Sequence, residues 1–219
     1  MEKDVGVAVT ISRQTGSGGT YVGYLAAKML GFRYVDREIL QKAAREMGTD
    51  VRELELQDER SSGLIETILK GFAIGAPFSG MMRHARPIYD GDLFASERKI
   101  VQDIAENHNA VFIGRAAFHM LRDHPRVFRV FIYAPQEFRI DRTMKAHRIS
   151  RSQAESFILE SDRRRAKYIR DMAGVDWLDV RNHHLCIDTS QIGFELGGEM
   201  VAKAVSQRWP QGTTPKDKK

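Results

Sequence analysis

The stretch that decides the fold is Val7-Ala8-Val9-Thr10-Ile11-Ser12-Arg13-Gln14-Thr15-Gly16-Ser17-Gly18-Gly19-Thr20. Its first half is a β-branched apolar run, which favours a buried strand, and its second half is a loop rich in glycine, serine and threonine. A helical pattern begins at Tyr21. A glycine loop between a strand and a helix turns backbone N–H groups toward an anion at the positive end of the helix dipole. The stretch therefore predicts a phosphate site.

This loop departs twice from the full phosphate-loop pattern, which is Gly, four residues, Gly, Lys, then Ser or Thr. Aligned on Thr20, the first glycine position holds Arg13 and the lysine position holds Gly19. Arg13 is a candidate for the missing cation, and the Thr20 hydroxyl is a candidate Mg²⁺ ligand. A tight turn without a ligand is the alternative. The candidate phosphate-binding residues are Gly16, Ser17, Gly18, Gly19 and Thr20.

Composition favours one α/β domain. The chain has 219 residues, of which 42% are hydrophobic and 29% are charged, with a net charge of +5. No apolar run approaches the ~20 residues of a membrane span, and the N-terminus lacks a signal-peptide pattern. The lone Cys186 is expected in the core, and a cytoplasmic location without membrane partners is expected.

The strands have near-continuous apolar character and alternate with helices, which is typical of a parallel sheet buried on both faces. We therefore predict an α/β fold of three layers, αβα, with a five-stranded parallel sheet. The predicted strands are 5–12, 32–35, 111–113, 127–133 and 185–189. The predicted helices are 20–30, 37–47, 93–107, 116–122, 135–147, 150–172 and 193–208.

Residues 48–92 differ from the rest. Polar helical pieces surround residues 71–82, which are dense in glycine, proline, phenylalanine and methionine. We predict a helical insert that closes on a ligand or forms a homodimer contact, and a helix pair docked on the core is the alternative. The polar tail 210–219 is predicted to be disordered.

Other candidate residues follow the predicted strands, where ligands of open α/β sheets bind. Asp36 follows the second strand, where a carboxylate can hold a Mg²⁺-bound water or an acceptor hydroxyl, and a cap of the helix that follows is the alternative. Arg115 follows Gly114 at the end of the third strand and could grip a phosphate or form a surface salt bridge. The pair His183-His184 has no plausible third ligand, so no histidine metal site is expected.

Residues 139–170 are strongly basic, with ten basic residues against four acidic ones. Arg139 and Arg142 share one helix face, and Arg165 follows on the next helix. Arginines facing one cleft would neutralise a transferring phosphoryl group, whereas a solvated basic face is the alternative. Binding of nucleic acid is a weaker hypothesis, because few aromatic side chains interleave with these charges.

Seven segments together resemble the cytidylate kinase-like family, a branch of the phosphate-loop (P-loop) nucleoside monophosphate kinases. Apart from residues 48–92, the resemblance covers most of the chain. The segments are Ile11–Gly19, Tyr34–Leu40, Val111–Arg115, Arg129–Pro135, Asp162–Tyr168, Asp176-Trp177 and Cys186–Ser190.

The resemblance implies a P-loop nucleoside triphosphate hydrolase fold with a core, an acceptor-binding insert at 48–92 and a lid at 139–176. It implies transfer of the γ-phosphate of ATP, with Mg²⁺, to a nucleoside monophosphate such as CMP. Gly16 to Thr20 would hold the donor phosphates, and Thr20 and Asp36 would act on Mg²⁺, in part through water. Asp36 and Arg115 would face the acceptor, and the lid cations would be Arg139, Arg142 and Arg165.

Two residues depart from the pattern of cytidylate kinases. Gly19 replaces the lysine, and Ala116 stands where an acid is expected after Gly-Arg. Without the lysine, the pattern does not fix the catalytic rate. Without the acid, it does not fix which acceptor is bound. A catalytically weak or inactive nucleotide-binding sensor is therefore the second hypothesis, and a nucleic-acid-binding module is the third.

Overall fold

The computed structural model describes residues 5–36 and 91–210, and describes side chains in the second range from Glu97 onward. The predicted helix 37–47, most of the predicted insert 48–92 and the tail 211–219 lie outside the described residues. The insert, its homodimer contact and the disordered tail therefore stay predictions.

Five strands form one parallel sheet in the order β2-β3-β1-β4-β5. The strands are β1 (Ala8–Arg13), β2 (Arg33–Val35), β3 (Ala110–Ile113), β4 (Val127–Tyr133) and β5 (Leu185–Asp188). The helices of the described residues are α1 (Gly19–Leu30), α2 (Gly91–Asn107), α3 (Ala117–Met120), α4 (Gln136–His147), α5 (Arg151–Ala173), α6 (Thr189–Ile192) and α7 (Phe194–Arg208), with a 3₁₀ turn at Val180–Asn182.

Strand β1 lies at the centre of the sheet, between β3 and β4. Ala8 is in register with Ala110 on one side and with Val127 on the other. The chain leaves β1 toward β2 on one side and reaches β4 on the other side, so the strand order reverses beside β1. In an open α/β sheet the crevice at such a reversal is where ligands bind.

The two faces of the sheet carry separate cores, which confirms the predicted three layers. Val9 and Ile11 of β1 pack with α1 and α7, whereas Ala8, one residue along, packs with α2 and α3. This alternation follows from the two-residue period of a strand. Each of these side chains is at most 1% exposed, so both faces of β1 are closed to water.

Several element ends differ from the sequence predictions. Strand β1 begins at Ala8, where the sequence predicts a start at residue 5. The helix predicted at 116–122 is only α3, because Ala116 has a left-handed backbone with φ 56°. Thr189, predicted as the end of the last strand, begins α6, because the Asp188 carboxylate accepts the Ser190 N–H at 2.9 Å and caps that helix. Helix α2 begins at Gly91, inside the range predicted for the insert.

In the part of the chain that the structure describes, there is no helix whose length and apolar character would let it span a bilayer.

Candidate active site

The glycine loop, residues 14–18, joins the end of β1 to the start of α1. Gly16 and Gly18 have φ angles of 82° and 78°, which glycine adopts without strain. A Cβ on Gly18 would lie 2.4 Å from the ring of Phe194, and one on Gly16 would lie 2.8 Å from the carbonyl oxygen of Arg139. Glycine is therefore required at both positions by conformation and by close packing.

Neighbouring strands hold the loop in shape. The Ser17 hydroxyl donates to the carbonyl oxygens of Gln14 at 2.8 Å and of Ile132 at 3.2 Å. The Thr189 hydroxyl donates to the carbonyl oxygen of Ser17 at 2.6 Å. Side chains thus tie the loop to the ends of β4 and β5, so its backbone is fixed before any ligand arrives.

Three backbone N–H groups, two in this loop and one on the first residue of α1, make no hydrogen bond to the described residues. Within the described residues, no acceptor is bonded to the N–H groups of Gly16, Gly18 and Gly19. They lie at the N-terminus of the 12-residue helix α1, where the helix dipole favours negative charge. A cavity of about 300 Å³ opens beside them, and its walls include Thr20, Arg142 and Arg165. This arrangement can bind a phosphate group.

A carboxylate on α5 joins the loop to two arginines. The Thr15 N–H donates to Oδ1 of Asp162 at 2.9 Å. Arg139 Nη1 donates to Oδ2 of Asp162 at 2.6 Å, and Arg165 Nη1 donates to Oδ1 at 3.2 Å. One negative charge therefore lies against two positive charges, which leaves the cluster net positive beside the cavity.

Arg139 and Arg165 lie at different depths. Arg139 is 7% exposed, and its guanidinium donates to the carbonyl oxygens of Ala134 at 3.1 Å and of Thr15 at 3.1 Å. Arg165 lines the cavity and donates to the Thr15 hydroxyl at 3.0 Å. Burial, with repulsion from Arg13, lowers the pKa of Arg165 to about 9. Arg139 thus braces the loop, whereas Arg165 faces the space beside it.

Arg142 stacks on an aromatic ring at the edge of the cavity. Its guanidinium carbon lies 4.3 Å from the centre of the Phe194 ring, and burial lowers its pKa. Tyr21 meets the same ring edge-on, with a centroid separation of 6.1 Å. A cation and aromatic rings together form a platform that suits a flat base.

Arg115 and Asp36 lie at the ends of β3 and β2, where the sequence placed them. Arg115 forms a salt bridge with Glu97 of α2, whose side chain is completely buried, and its guanidinium carbon lies 5.4 Å from the centre of the Tyr168 ring. Gly114, Arg115 and Ala116 have φ angles of 74°, 55° and 56° in succession. Two consecutive non-glycine residues in this region store strain, which tends to occur at functional sites.

The basic face of residues 139–170 is partly neutralised by exposed ion pairs. Arg164 pairs with Glu160 on the same helix, and Arg151 pairs with Glu137 at 2.5 Å. Lys167 pairs with Asp171 at 2.7 Å. Such pairs neutralise part of the positive charge on the outer side of α5.

Sequence reasoning missed several residues that shape this site. Asp162 was visible as an acid three residues before Arg165, but its bond to the loop joins residues that are 147 positions apart. Glu97 gave no signal, because nothing in its neighbourhood distinguishes it from other helix residues. Thr189 belongs to the segment Cys186–Ser190, but nothing in that segment indicates its hydrogen bond to Ser17. In the sequence, Phe194 is only an apolar residue near the start of the helix predicted at 193–208.

Known proteins resemble this chain along most of its length. Residues 8–191 match the cytidylate kinase-like family. The cytidylate kinase of Methanocaldococcus jannaschii is 24% identical over 200 residues, which cover 90% of this chain and 96% of that protein. A solved structure of an uncharacterized protein from Eubacterium ventriosum is similar over 92% of this chain and 99% of its own, with a TM-score of 0.69 and 18% identity. This last likeness shows a shared fold.

Proposed function

Because this chain belongs to the cytidylate kinase-like family, we propose that it transfers the γ-phosphoryl group of ATP to a small phosphate-bearing acceptor, a nucleoside monophosphate such as CMP. The observation that carries the proposal is the set of N–H groups at the start of α1 that make no hydrogen bond within the described residues and that line one cavity with three arginines, Arg13, Arg142 and Arg165. A polyphosphate needs this combination, because its charge must be met by donors and cations at once.

The donor phosphates bind at the glycine loop. The N–H groups of Gly16, Gly18 and Gly19 donate to phosphate oxygens, and Arg165, which contacts Thr15 of the loop, contributes its charge. The base of the donor lies toward Arg142 and Phe194, which border the same end of the loop. The fixed backbone means that little ordering is needed when the ligand binds.

Magnesium fits the residues at this site. Thr20, which carries a hydroxyl, lines the cavity beside the loop. Mg²⁺ keeps most of its waters and takes one or two protein oxygens together with substrate phosphates, so it does not require a cluster of carboxylates. Thr20 would hold the ion directly and Asp36 would hold one of its waters. The ion supplies positive charge to the β- and γ-phosphates.

The acceptor lies toward the ends of β2 and β3, with Arg115 on its phosphate. A phosphate oxygen of the acceptor attacks the γ-phosphorus, and the bond from that phosphorus to the β–γ bridging oxygen breaks. The electron pair stays with ADP. Residues 48–92 would cover the acceptor, and residues 139–176 would act as the lid. Catalysis is positioning and charge neutralisation without a covalent enzyme intermediate.

The test measures ADP formation with ATP, Mg²⁺ and a panel of nucleoside monophosphates, together with calorimetry of ATP·Mg binding. We expect turnover with at least one acceptor. Thr20→Ala should lower the rate, whereas Ser156→Ala, on the exposed side of α5, should not. Binding without turnover on any acceptor would instead support a nucleotide-binding sensor, and absence of binding would reject both functions.

A further inference from the structure

The two departures from the phosphate-loop pattern, Arg13 and Gly19, touch each other in the fold. A Cβ built on Gly19 would lie 2.4 Å from Cβ of Arg13, 3.0 Å from its Cγ and 3.0 Å from Cβ of Ile132. Real Cβ atoms do not approach another atom to 2.4 Å. With Arg13 in place, position 19 therefore has no room for a lysine or for any other side chain.

A second glycine makes room for the far end of the same arginine. A Cβ on Gly114 would lie 1.9 Å from Nη1 of Arg13 and 3.1 Å from its Cζ. The guanidinium consequently lies directly against the backbone at the end of β3, one strand away from the loop. The Arg13 side chain runs from the first residue of α1 to this point, with a glycine at each end of its path.

The guanidinium lies between the donor side and the acceptor side of the site. Asp36 and Tyr34, at the end of β2, attract its charge, and Arg165, on the donor side, repels it. Burial lowers the pKa of Arg13 from its ordinary value. The side chain donates no hydrogen bond to the described residues, so its donors are available to a ligand.

We infer that Arg13 replaces the phosphate-loop lysine as the cation on the transferring phosphoryl group, and that Gly19 and Gly114 are the space this arginine requires. The inference rests on the proposed function. The two departures are then one exchange, in which the cation moves from the first turn of α1 to the end of β1. At that place the charge meets the phosphoryl group between donor and acceptor.

The exchange can be reversed by two substitutions. The double variant Arg13→Gly/Gly19→Lys reads Gly-Gln-Thr-Gly-Ser-Gly-Lys-Thr, which is the complete phosphate-loop pattern. Gly19→Lys alone should fail, because the arginine still occupies the space. Arg13→Gly alone should also fail, because no cation remains. Only the double variant should recover phosphoryl transfer.

A double-mutant cycle of thermal unfolding temperatures tests whether Arg13 occupies the space beside Gly19, and it does not require enzymatic activity. Gly19→Ala should lower Tm by about 3–10 °C in the natural sequence and by clearly less in the Arg13→Gly background. Gly198→Ala is the matched control, since its Cβ would lie 2.7 Å from Cβ of Leu25 in the contact between α1 and α7. It should lower Tm equally in both backgrounds. An equal Gly19→Ala loss in both backgrounds would overturn the inference.

A charge test uses Arg13→Met, which keeps the bulk of the side chain and removes its charge. We expect kcat to fall by about 10²–10³-fold with little change in KM for ATP, because the cation acts on charge that develops in the transition state. Gly19→Ala should remain destabilising in this background, since the methionine still fills the space.

The outcomes separate the inference from the proposed function. If the natural protein transfers phosphate and Arg13→Met does so at the same rate, the inference fails and the proposed function stands. If the natural protein neither binds ATP·Mg nor transfers phosphate to any acceptor, both the proposed function and this inference are wrong. Recovery of at least tenfold in kcat by the double variant over Arg13→Gly alone supports the inference.

Discussion

At the scale of single residues, Asp162 organises the site. Its two carboxylate oxygens accept from the Thr15 N–H and pair with Arg139 and Arg165, so one side chain fixes a loop and two cations. The Asp162 side chain is 16% exposed and the Arg139 side chain 8% exposed. Removing one charge of such a buried group is destabilising, because the remaining charges keep their desolvation cost without a counter-charge to offset it.

We predict that Asp162→Asn lowers the free energy of unfolding by about 2–4 kcal/mol, since two arginines lose their counter-charge while the shape is kept. Urea unfolding measures this. The matched control is Asp171→Asn on the same helix, where the carboxylate pairs with Lys167 and is 38% exposed. That variant should lose less than about 1 kcal/mol. Equal losses in the two variants would contradict the organising role of Asp162.

At the scale of elements, helix α5 supplies site residues that are far from the glycine loop in the sequence. The helix has 23 residues, and Ser161, Asp162 and Arg165, in its middle, form hydrogen bonds with Thr15 of the glycine loop. It begins with a reciprocal cap, in which the Ser150 hydroxyl accepts the Gln153 N–H and the Gln153 side chain accepts the Ser150 N–H. This capping box fixes where α5 begins, and so helps to hold its later turns in position against the glycine loop.

Ser150→Ala is expected to cost about 1 kcal/mol of unfolding free energy, because the N–H of Gln153 loses its acceptor. In a chain of this size the loss corresponds to a fall in Tm of about 2–4 °C. Ser156→Ala, an exposed serine inside the same helix, should leave Tm unchanged or raise it slightly. A Tm for Ser150→Ala within about 1 °C of the natural protein would show that the cap contributes little.

At the scale of the whole molecule, His183 joins the sheet to the end of α5. Its ring lies 5.3 Å from the Phe118 ring and 5.1 Å from the Phe131 ring, and Trp177 packs on Phe131 at 5.8 Å. Burial, helped by repulsion from Arg129, lowers the pKa of His183 to about 4. The imidazole is therefore neutral in the folded protein at neutral pH.

Stability should consequently fall in mild acid. Between pH 6.5 and about 4, the unfolded chain binds a proton at His183 that the folded protein does not, so the free energy of unfolding decreases as pH falls through that window. The decrease from this residue is about 3 kcal/mol once pH 4 is reached. Urea unfolding at several pH values measures it.

His183→Phe should flatten this pH dependence, because the variant carries no group to protonate between the two aromatic rings. His119→Phe is the control, since His119 is only partly buried and its pKa is lowered less strongly. It should flatten the curve much less. A pH profile for His183→Phe that follows the natural protein would show that His183 is not the residue responsible.

Local patterns in the sequence predicted much of the architecture. The strand, glycine loop and helix at residues 7–20, the five strands and the major described helices all follow from apolar periodicity, which each segment carries within itself. The same patterns placed Asp36 and Arg115 at strand ends, because the carboxyl ends of parallel strands share one edge. Element ends such as Ala116 and Thr189 depended on single conformations and caps, which periodicity does not reveal.

The sequence by itself determined that this is a parallel α/β protein with a phosphate-type loop that lacks its lysine. Only the tertiary structure decided which strands are neighbours, that Asp162 bonds to Thr15, and that Arg13 and Gly19 occupy one space. The reason is physical: periodicity and turn chemistry act between residues a few positions apart, whereas these contacts join segments that meet only after the sheet has formed. The fold therefore gives a reason for the missing lysine: with Arg13 packed against position 19, that position has room only for glycine.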